Sequence, residues 1–427
     1  MKTIINPDKP DWVNVLKRPT QTVDDIEATV NQIFDDVARN GDQAISKYTE
    51  MFDGCTLNSI EVTTEETQKA SALVSEELKK AIQLAKSNIE SFHKAQKTER
   101  VFVETVKGVK CWQEKRAIQK VGLYIPGGTA PLFSTILMLV VPAQIAGCKE
   151  IVLCTPPNAK GNIANEILYT AQLCGVTKII KVGGIQAIAG MTFGTETIPQ
   201  VYKIFGPGNQ FVTVAKQIST KFGVAIDMPA GPSELLVVAD TSAHPAYVAS
   251  DLLSQAEHGA DSQVILVTDT LEFITNVQNE IEKQLEQLPR KDIAQNALKN
   301  SKAFMIESAE DALQLINSYA PEHLIIATRN DDFFVNNIQN AGSVFIGNFT
   351  PESAGDYASG TNHTLPTNGF SRAYSGVNLD SFTKAITFQK ISEEGMLQIG
   401  KTIELMAEAE GLQAHKNAVT LRLNDLK

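Results

Sequence analysis

Apolar residues Val23, Ile26, Val30, Ile33 and Val37 recur at steps of three and four behind Thr22, which predicts a helix with one buried face and a capping residue at its head. A second long helix is predicted from about Glu65 to Lys97, with Leu73, Leu78, Ile82, Ala85, Ile89 and Phe92 on its apolar stripe. The opening third therefore reads as mostly helical. From Val121 the period changes to short β-rich runs, VGLYI, EIVLC, KIIKV, VYKIF and GVAID, each separated by enough chain for a helical crossover. The alternation resumes with ELLVVA, SQVILV, AFMIE, HLIIAT and SVFIG. This predicts an α/β protein with two doubly wound, Rossmann-like parallel sheets. The turns IPGGTAP, VGGIQ, FGPGN and MPAGPSE follow strands, and ligands of open α/β sheets gather outside strand carboxyl ends, so these glycines are expected to mark the ligand side. After about Asn378 the strands are expected to stop. Ile391, Met396, Ile399, Ile403, Leu405 and Met406, then Leu412, Val419 and Leu423 beyond a break at Gly411, predict a helical extension of the kind that docks on a partner.

A chain of 427 residues, 43% of them hydrophobic, is long enough for more than one core. Its formal net charge of −11 argues against non-specific nucleic-acid binding, which draws on Lys and Arg against phosphates. Five cysteines, Cys55, Cys111, Cys148, Cys154 and Cys174, form no CxxC pair and no readable disulfide framework. The start, MKTIINPDKPDW, lacks the apolar run of a signal peptide, and the most apolar stretch, Phe133 to Gly147, is interrupted by Pro142. A cytoplasmic protein acting on small molecules is expected.

Chemistry concentrates around the scarce histidines, in SQAEHG (Ser254–Gly259), PEH (Pro321–His323), GDYASGTNH (Gly355–His363) and EGLQAH (Glu410–His415). With thiols absent beyond Cys174, a metal site here needs His, Asp and amide oxygen. Gln255 and His258 lie three residues apart near the end of a helix predicted to begin around Pro245 and stop at Gly259. That places them on one face, at the dipole end that favours a cation. An ordinary polar helix end fits the same residues. The adjacent Glu322-His323 can be a proton-handling pair or a solvated loop. His93, on the expected polar side of the second helix, and His244, before Pro245, have no motif partner and read as structural. A thiohemiacetal mechanism is rejected, because Cys148, Cys154 and Cys174 lie in or beside apolar runs.

The run from Ile226 to Gly259, IDMPAGPSELLVVADTSAHPAYVASDLLSQAEHG, resembles the signature of the histidinol dehydrogenase family. VGLYIPGGTAPL, VGGIQAIA, FGPGN, APEHL, ESAGDYASGTNH and EGLQAHKNAV recur in that family in the same order. The resemblance implies a zinc- and NAD-dependent four-electron oxidation of L-histidinol to L-histidine through histidinal. Residue by residue, it implies Gln255, His258, Asp356 and His415 as zinc ligands and Glu322 with His323 as the catalytic pair. Ser233, His363 and Glu410, with His323 and the metal ligands, are implied to hold the substrate. Tyr124, Gln186 and Asn209 are implied to contact NAD, although Tyr124 and Asn209 could simply shape turns and Ser233 could be a plain turn residue. No G-x-G-x-x-G fingerprint supports the cofactor, since Phe211 stands where the third glycine would follow Gly206-Pro207-Gly208. The family further implies a homodimer in which Glu410 and His415 complete the neighbouring subunit's site. The boundaries that follow are an N-terminal extension over 1–20 and a metal-bearing, catalytic domain over 21–120 and 234–377. An NAD-binding domain over 121–233 and a dimerisation tail over 378–427 complete the chain. Two other classes use similar residues: a zinc hydrolase, which would need no nicotinamide, and an inactive scaffold, which would be expected to lack some of the seven metal and catalytic candidates.

Overall fold

In a computed structural model, which describes residues 1–19, 24–127, 130–229 and 231–426, each β-rich run from Val121 to Ile346 forms a strand. Thr22 and Val23, expected at the head of the first helix, lie outside the described residues, as do Gly128, Thr129 and Ala230 of the glycine-rich turns. The first set of runs makes an all-parallel five-stranded sheet in the order Lys178–Ile180, Glu150–Cys154, Lys120–Tyr124, Lys203–Phe205, Ala225–Ile226. The chain starts at the centre, winds outward one way and returns to wind out the other. A crevice therefore opens where Lys120–Tyr124 and Lys203–Phe205 send their connections to opposite faces.

The second set makes a parallel six-stranded sheet, ordered Lys2–Ile5, Lys302–Met305, Gln263–Thr268, Glu234–Ala239, His323–Ala327, Ser343–Ile346. The predicted N-terminal extension is thus partly an edge strand, pairing Ile4 with Phe304. Leu235, Leu236, Val237 and Val264 to Val267 have no exposure. Each such aliphatic side chain contributes roughly 1.5–3 kcal/mol of burial, which is why these strands read as unbroken apolar runs.

The helical opening differs from expectation in three ways. The predicted helix over 65–97 is two helices, Thr64–Leu73 and Glu76–Ala95, because Val74 is extended and Ser75 caps a new start by accepting from the Leu78 N–H. These helices and Asp24–Asp53 share their cores with the five-stranded sheet, and Glu76–Ala95 also touches 234–377 through Asn88 and His93. Ile82 and Ile89 share a core with Val121 and Leu153, while Val30, Ile33 and Val37 share one with Ile204 and Val152 on the opposite face. His93 is buried, contrary to its expected polar position. Its Nδ1 is 2.9 Å from the Ile89 carbonyl and its Nε2 3.4 Å from the Asn362 amide, so it is a satisfied core histidine.

The chain divides into two compact units, Met1–Gln96 with Ile118–Phe382, and Lys97–Ala117 with Thr383–Lys427. In the second, strands did not stop at Asn378. Thr383–Ile391 pairs antiparallel with Val109–Ala117, which pairs with Val101–Val106, and the helices Glu393–Ala409 and Gln413–Asp425 follow. The tail is therefore a sheet-and-helix unit assembled from two distant segments.

At Gly206, φ is +124° and a Cβ would stand 2.1 Å from the Tyr124 carbonyl oxygen, so only glycine lets these strand ends converge. Gly206→Ala is expected to destabilise the protein by roughly 2–4 kcal/mol, read as a lower urea midpoint. An unshifted midpoint would contradict that close approach.

Candidate active site and metal centre

The proton-handling pair stands at the amino end of the strand His323–Ala327, in the sheet's interior, where parallel pairing fixes both neighbours. Glu322 and His323 are both buried. Glu234, which opens the adjacent strand, clamps the two. Its N–H donates to Glu322 Oε2 at 2.8 Å, and its carbonyl lies 3.2 Å from His323 Nδ1. A carbonyl can only accept, so Nδ1 carries the proton and Nε2 presents a lone pair. That Nε2 is buried without a hydrogen-bond partner, 3.8 Å from Asp356 Oδ1. Glu234 is anchored by Arg18, whose guanidinium forks onto its carboxylate, reaches the Tyr319 carbonyl at 2.8 Å and lies 4.0 Å from the Tyr319 ring centre.

The helix Pro245–Ala256 starts with proline at its first position and runs back to the amino edge of the six-stranded sheet. It delivers Gln255 in its last turn. His258 falls in the turn just past the end, its N–H bonding the Gln255 carbonyl, so the helix ends at Ala256, three residues short of Gly259. Gln255 has no exposure, and neither of its amide atoms has a partner. A short helix, Glu352–Tyr357, supplies Asp356. Its first residue, Glu352, was not singled out from sequence. This carboxylate is buried, both oxygens lack partners, and Oε1 is 3.6 Å from His323 Nδ1. His323, Glu352 and Asp356 bring ligand atoms within 4.8 Å of one another. His363 closes the group, with Nδ1 2.9 Å from the Asp356 carbonyl and Nε2 3.1 Å from Thr135 Oγ1.

Electrostatics move every resolved member of the group toward neutrality. Burial pushes the Glu322 and Glu352 carboxyls well above their usual range, helped by each other's neighbours and by the Asp356 charge. Burial likewise lowers His258, and it lowers His323 to about 4, against the opposing pull of Asp356. Carboxyls crowded in a dry site beside neutral imidazoles and an unsatisfied amide form a donor set that lacks a positive charge. A divalent cation fits such a set, and His323, Glu352 and Asp356 could hold one. Ser233 lies immediately before the Glu234 strand, at the same sheet edge. Glu410 and His415 belong to the second unit and are exposed.

Tyr124, Gln186 and Asn209 line a single cavity of about 910 Å³ at the carboxyl ends of the five-stranded sheet. The Tyr124 hydroxyl accepts from the Gly184 N–H at 3.1 Å, and Asn209 caps the helix Gln210–Ser219 by accepting from the Val212 N–H at 3.1 Å. Both therefore shape turns as well as lining the cavity. Gln186 is different: it is fully buried with both amide atoms unpartnered. Phe211, occupying the missing glycine's place, also lines the wall. The five-stranded sheet thus has its cavity at strand carboxyl ends, whereas the polar cluster of the six-stranded sheet sits at strand amino ends. Cys148 and Cys174 are buried, with burial pushing their thiols up to about 12, and Cys154 is buried and pushed up as well. None is poised as a nucleophile. Among the described residues, no helix is long and apolar enough to cross a membrane.

The family model for histidinol dehydrogenase matches residues 16–423. The chain is 58% identical to a histidinol dehydrogenase of Bacteroides thetaiotaomicron over the full length of both, and 54% identical to that of Escherichia coli over 97% of this chain and 95% of the relative. A crystal structure of histidinol dehydrogenase from Elizabethkingia anophelis superimposes with a TM-score of 0.98 at 57% identity, covering 100% of this chain and 98% of that one. The buried histidine–carboxylate cluster and the separate cavity beside it thus sit in a chain that matches along its whole length, and the protein belongs to the histidinol dehydrogenase family of oxidoreductases.

Proposed function

We propose that the protein oxidises L-histidinol to L-histidine through L-histidinal, consuming one water and transferring a hydride in each of two rounds to NAD. The observation that carries this is the buried His323, whose Nδ1–H is committed to the Glu234 carbonyl while its Nε2 lone pair has no partner. In the first round Nε2 takes the proton of the alcohol as hydride leaves the carbon. Glu322 and Glu352, 3.7 and 3.6 Å from Nδ1, steady the imidazolium that results. In the second round water adds to the aldehyde, with Glu322, ionised once a bound cation offsets the burial that otherwise keeps it neutral, receiving the water's proton and the resulting hydrate losing the second hydride. Gln255, His258, Asp356 and the His415 of a partner subunit would hold zinc, which when bound orients the substrate's imidazole and amino nitrogens and neutralises the carboxylates. NAD, the hydride acceptor, would lie in the cavity of Tyr124, Gln186 and Asn209. Ser233 and His363 face the substrate from the first unit, and Glu410 reaches it from the partner's tail.

Two features support a homodimer. His415 and Glu410 are exposed in their own chain, and the second unit leaves the large apolar side chains of Val101, Phe102, Val103, Leu405, Met406 and Leu421 exposed. The five unpaired cysteines suit a reducing cytoplasm. A zinc hydrolase would leave the second cavity and its unsatisfied Gln186 without a purpose. The purified, zinc-loaded protein is expected to raise the reduced-nicotinamide absorbance on addition of L-histidinol and NAD, reaching two reduced cofactors per histidinol at completion. A plateau at one, or no absorbance, would refute the four-electron reading.

A further inference from the structure

The cavity that holds Tyr124, Gln186 and Asn209 has a single carboxylate among its described lining residues, Asp53, which no sequence motif marks. Asp53 is the last residue of the helix Asp24–Asp53, and Gly54 follows at φ +68° to end that helix. Its Oδ2 is buried and accepts no hydrogen bond among the described residues. Such a group costs folding free energy unless something supplies a donor. Among the described residues no cation is paired with it, and burial raises its carboxyl to about 6. A helix carboxyl end adds partial negative charge at the same place.

The walls of the cavity therefore differ in sign. The helices Gly184–Phe193 and Gln210–Ser219 begin at it, bringing Gly184, Gln186 and Asn209, and helix amino ends favour phosphate. The Asp53 wall combines a carboxylate with a helix carboxyl end and repels phosphate. Of the parts of a dinucleotide, the hydroxyl-bearing sugar suits this wall, since it offers donors and no charge. The Pro131 part of the lining leads into the helix Phe133–Ala146, whose Thr135 meets His363, so the nicotinamide belongs there. The sugar left for Asp53 is the one attached to the adenine, and Phe52 beside it, half exposed and also lining the cavity, offers a ring for the base.

We infer that Asp53 is the residue that selects the cofactor: its carboxylate accepts hydrogen bonds from the adenosine ribose hydroxyls and excludes a 2′-phosphate. The inference rests on NAD occupying this cavity, as proposed above. It is tested on the full-length, zinc-loaded enzyme with Asp53→Asn and Asp53→Ser, titrating NAD and NADP without histidinol by calorimetry and then measuring kcat/KM for each. Wild-type protein is expected to bind NAD in preference to NADP. Both variants are expected to weaken NAD binding and to lower the NAD-to-NADP preference by about 10- to 100-fold, the range for a hydrogen bond to a charged group. Because the substitution removes an unpaired buried carboxylate, the ligand-free variants are expected to melt no lower than wild type, so loss of fold does not cloud the result. Wild-type binding of NAD with an unchanged preference in both variants would overturn the role of Asp53 alone. Wild-type protein that binds neither dinucleotide would overturn the cofactor reading and this inference together.

Discussion

Replacing His323 by asparagine is expected to lower kcat for histidinol oxidation by ~10²–10⁴-fold, the usual contribution of a general base, while leaving zinc content unchanged. The imidazole is held by geometry. Its Nδ1–H points at the Glu234 carbonyl, whose strand is fixed in mid-sheet and tied through Arg18 to Tyr319. Burial holds the ring neutral at physiological pH, so the lone pair on Nε2 is available without a prior deprotonation. Asparagine can keep a donor toward Glu234 but offers no basic nitrogen where Nε2 stood. Zinc measured by atomic absorption should match wild type, because the proposed ligands Gln255, His258, Asp356 and His415 are untouched. Single-turnover rates would show the loss in the chemical step. A variant with full turnover would remove His323 from the role of base. One with proportionally less zinc would make it a ligand instead, as its place beside Glu352 and Asp356 permits.

The two parallel sheets were legible because their strands are buried on both faces. Runs such as ELLVVA and QVILVT have no polar face to show, and they alternate with helical stretches of crossover length. The antiparallel sheet of the second unit was not legible. Val101–Val106 has every residue exposed, its partner Val109–Ala117 mixes lysine and glutamate among the apolar positions, and Thr383–Ile391 carries two lysines and no regular alternation. What the sequence cannot display is the pairing of Lys384 with Arg116 across more than half the chain. For the same reason the helices before Gln96 were assigned to the wrong sheet: an apolar stripe states that a face is covered, not by what.

At the site, histidine-centred motifs located Glu322, His323, Asp356 and His363, which the fold brings together. Glu352 was missed because attention followed histidine. The signal existed, since Glu352 and Asp356 are four apart and the short helix Glu352–Tyr357 sets them on one side. Glu234 lies within the Ile226–Gly259 run, where nothing marks it out from its neighbours, and Arg18 lies outside every motif. They act through a backbone carbonyl and an ion pair 216 positions apart, and only the sheet register makes them neighbours of the catalytic pair. Asp53 escaped notice similarly, as an ordinary helix-end acid until the cavity around it is seen.

Mixing Glu322→Gln chains with His415→Ala chains is expected to restore activity that neither variant has alone. If the tail of one subunit completes the site of the other, a hybrid dimer pairs one site carrying both defects with one site carrying none. Random reassociation of equal amounts makes half the dimers hybrid, so about a quarter of wild-type activity should return. His415 stands exposed on the helix Gln413–Asp425, and the unit bearing it exposes several large apolar side chains, as a swapped contact would need. Each parent homodimer serves as its own control, with His415→Ala expected to lose both zinc and activity and Glu322→Gln to keep its zinc. The measurement needs proof that hybrids formed, from differently tagged chains purified in sequence. Tagged hybrids that stay inactive would show that Glu410 and His415 fold back onto their own subunit. Hybrids recovering the expected share would fix the dimer as the smallest active form, because no single chain would then hold a complete metal shell.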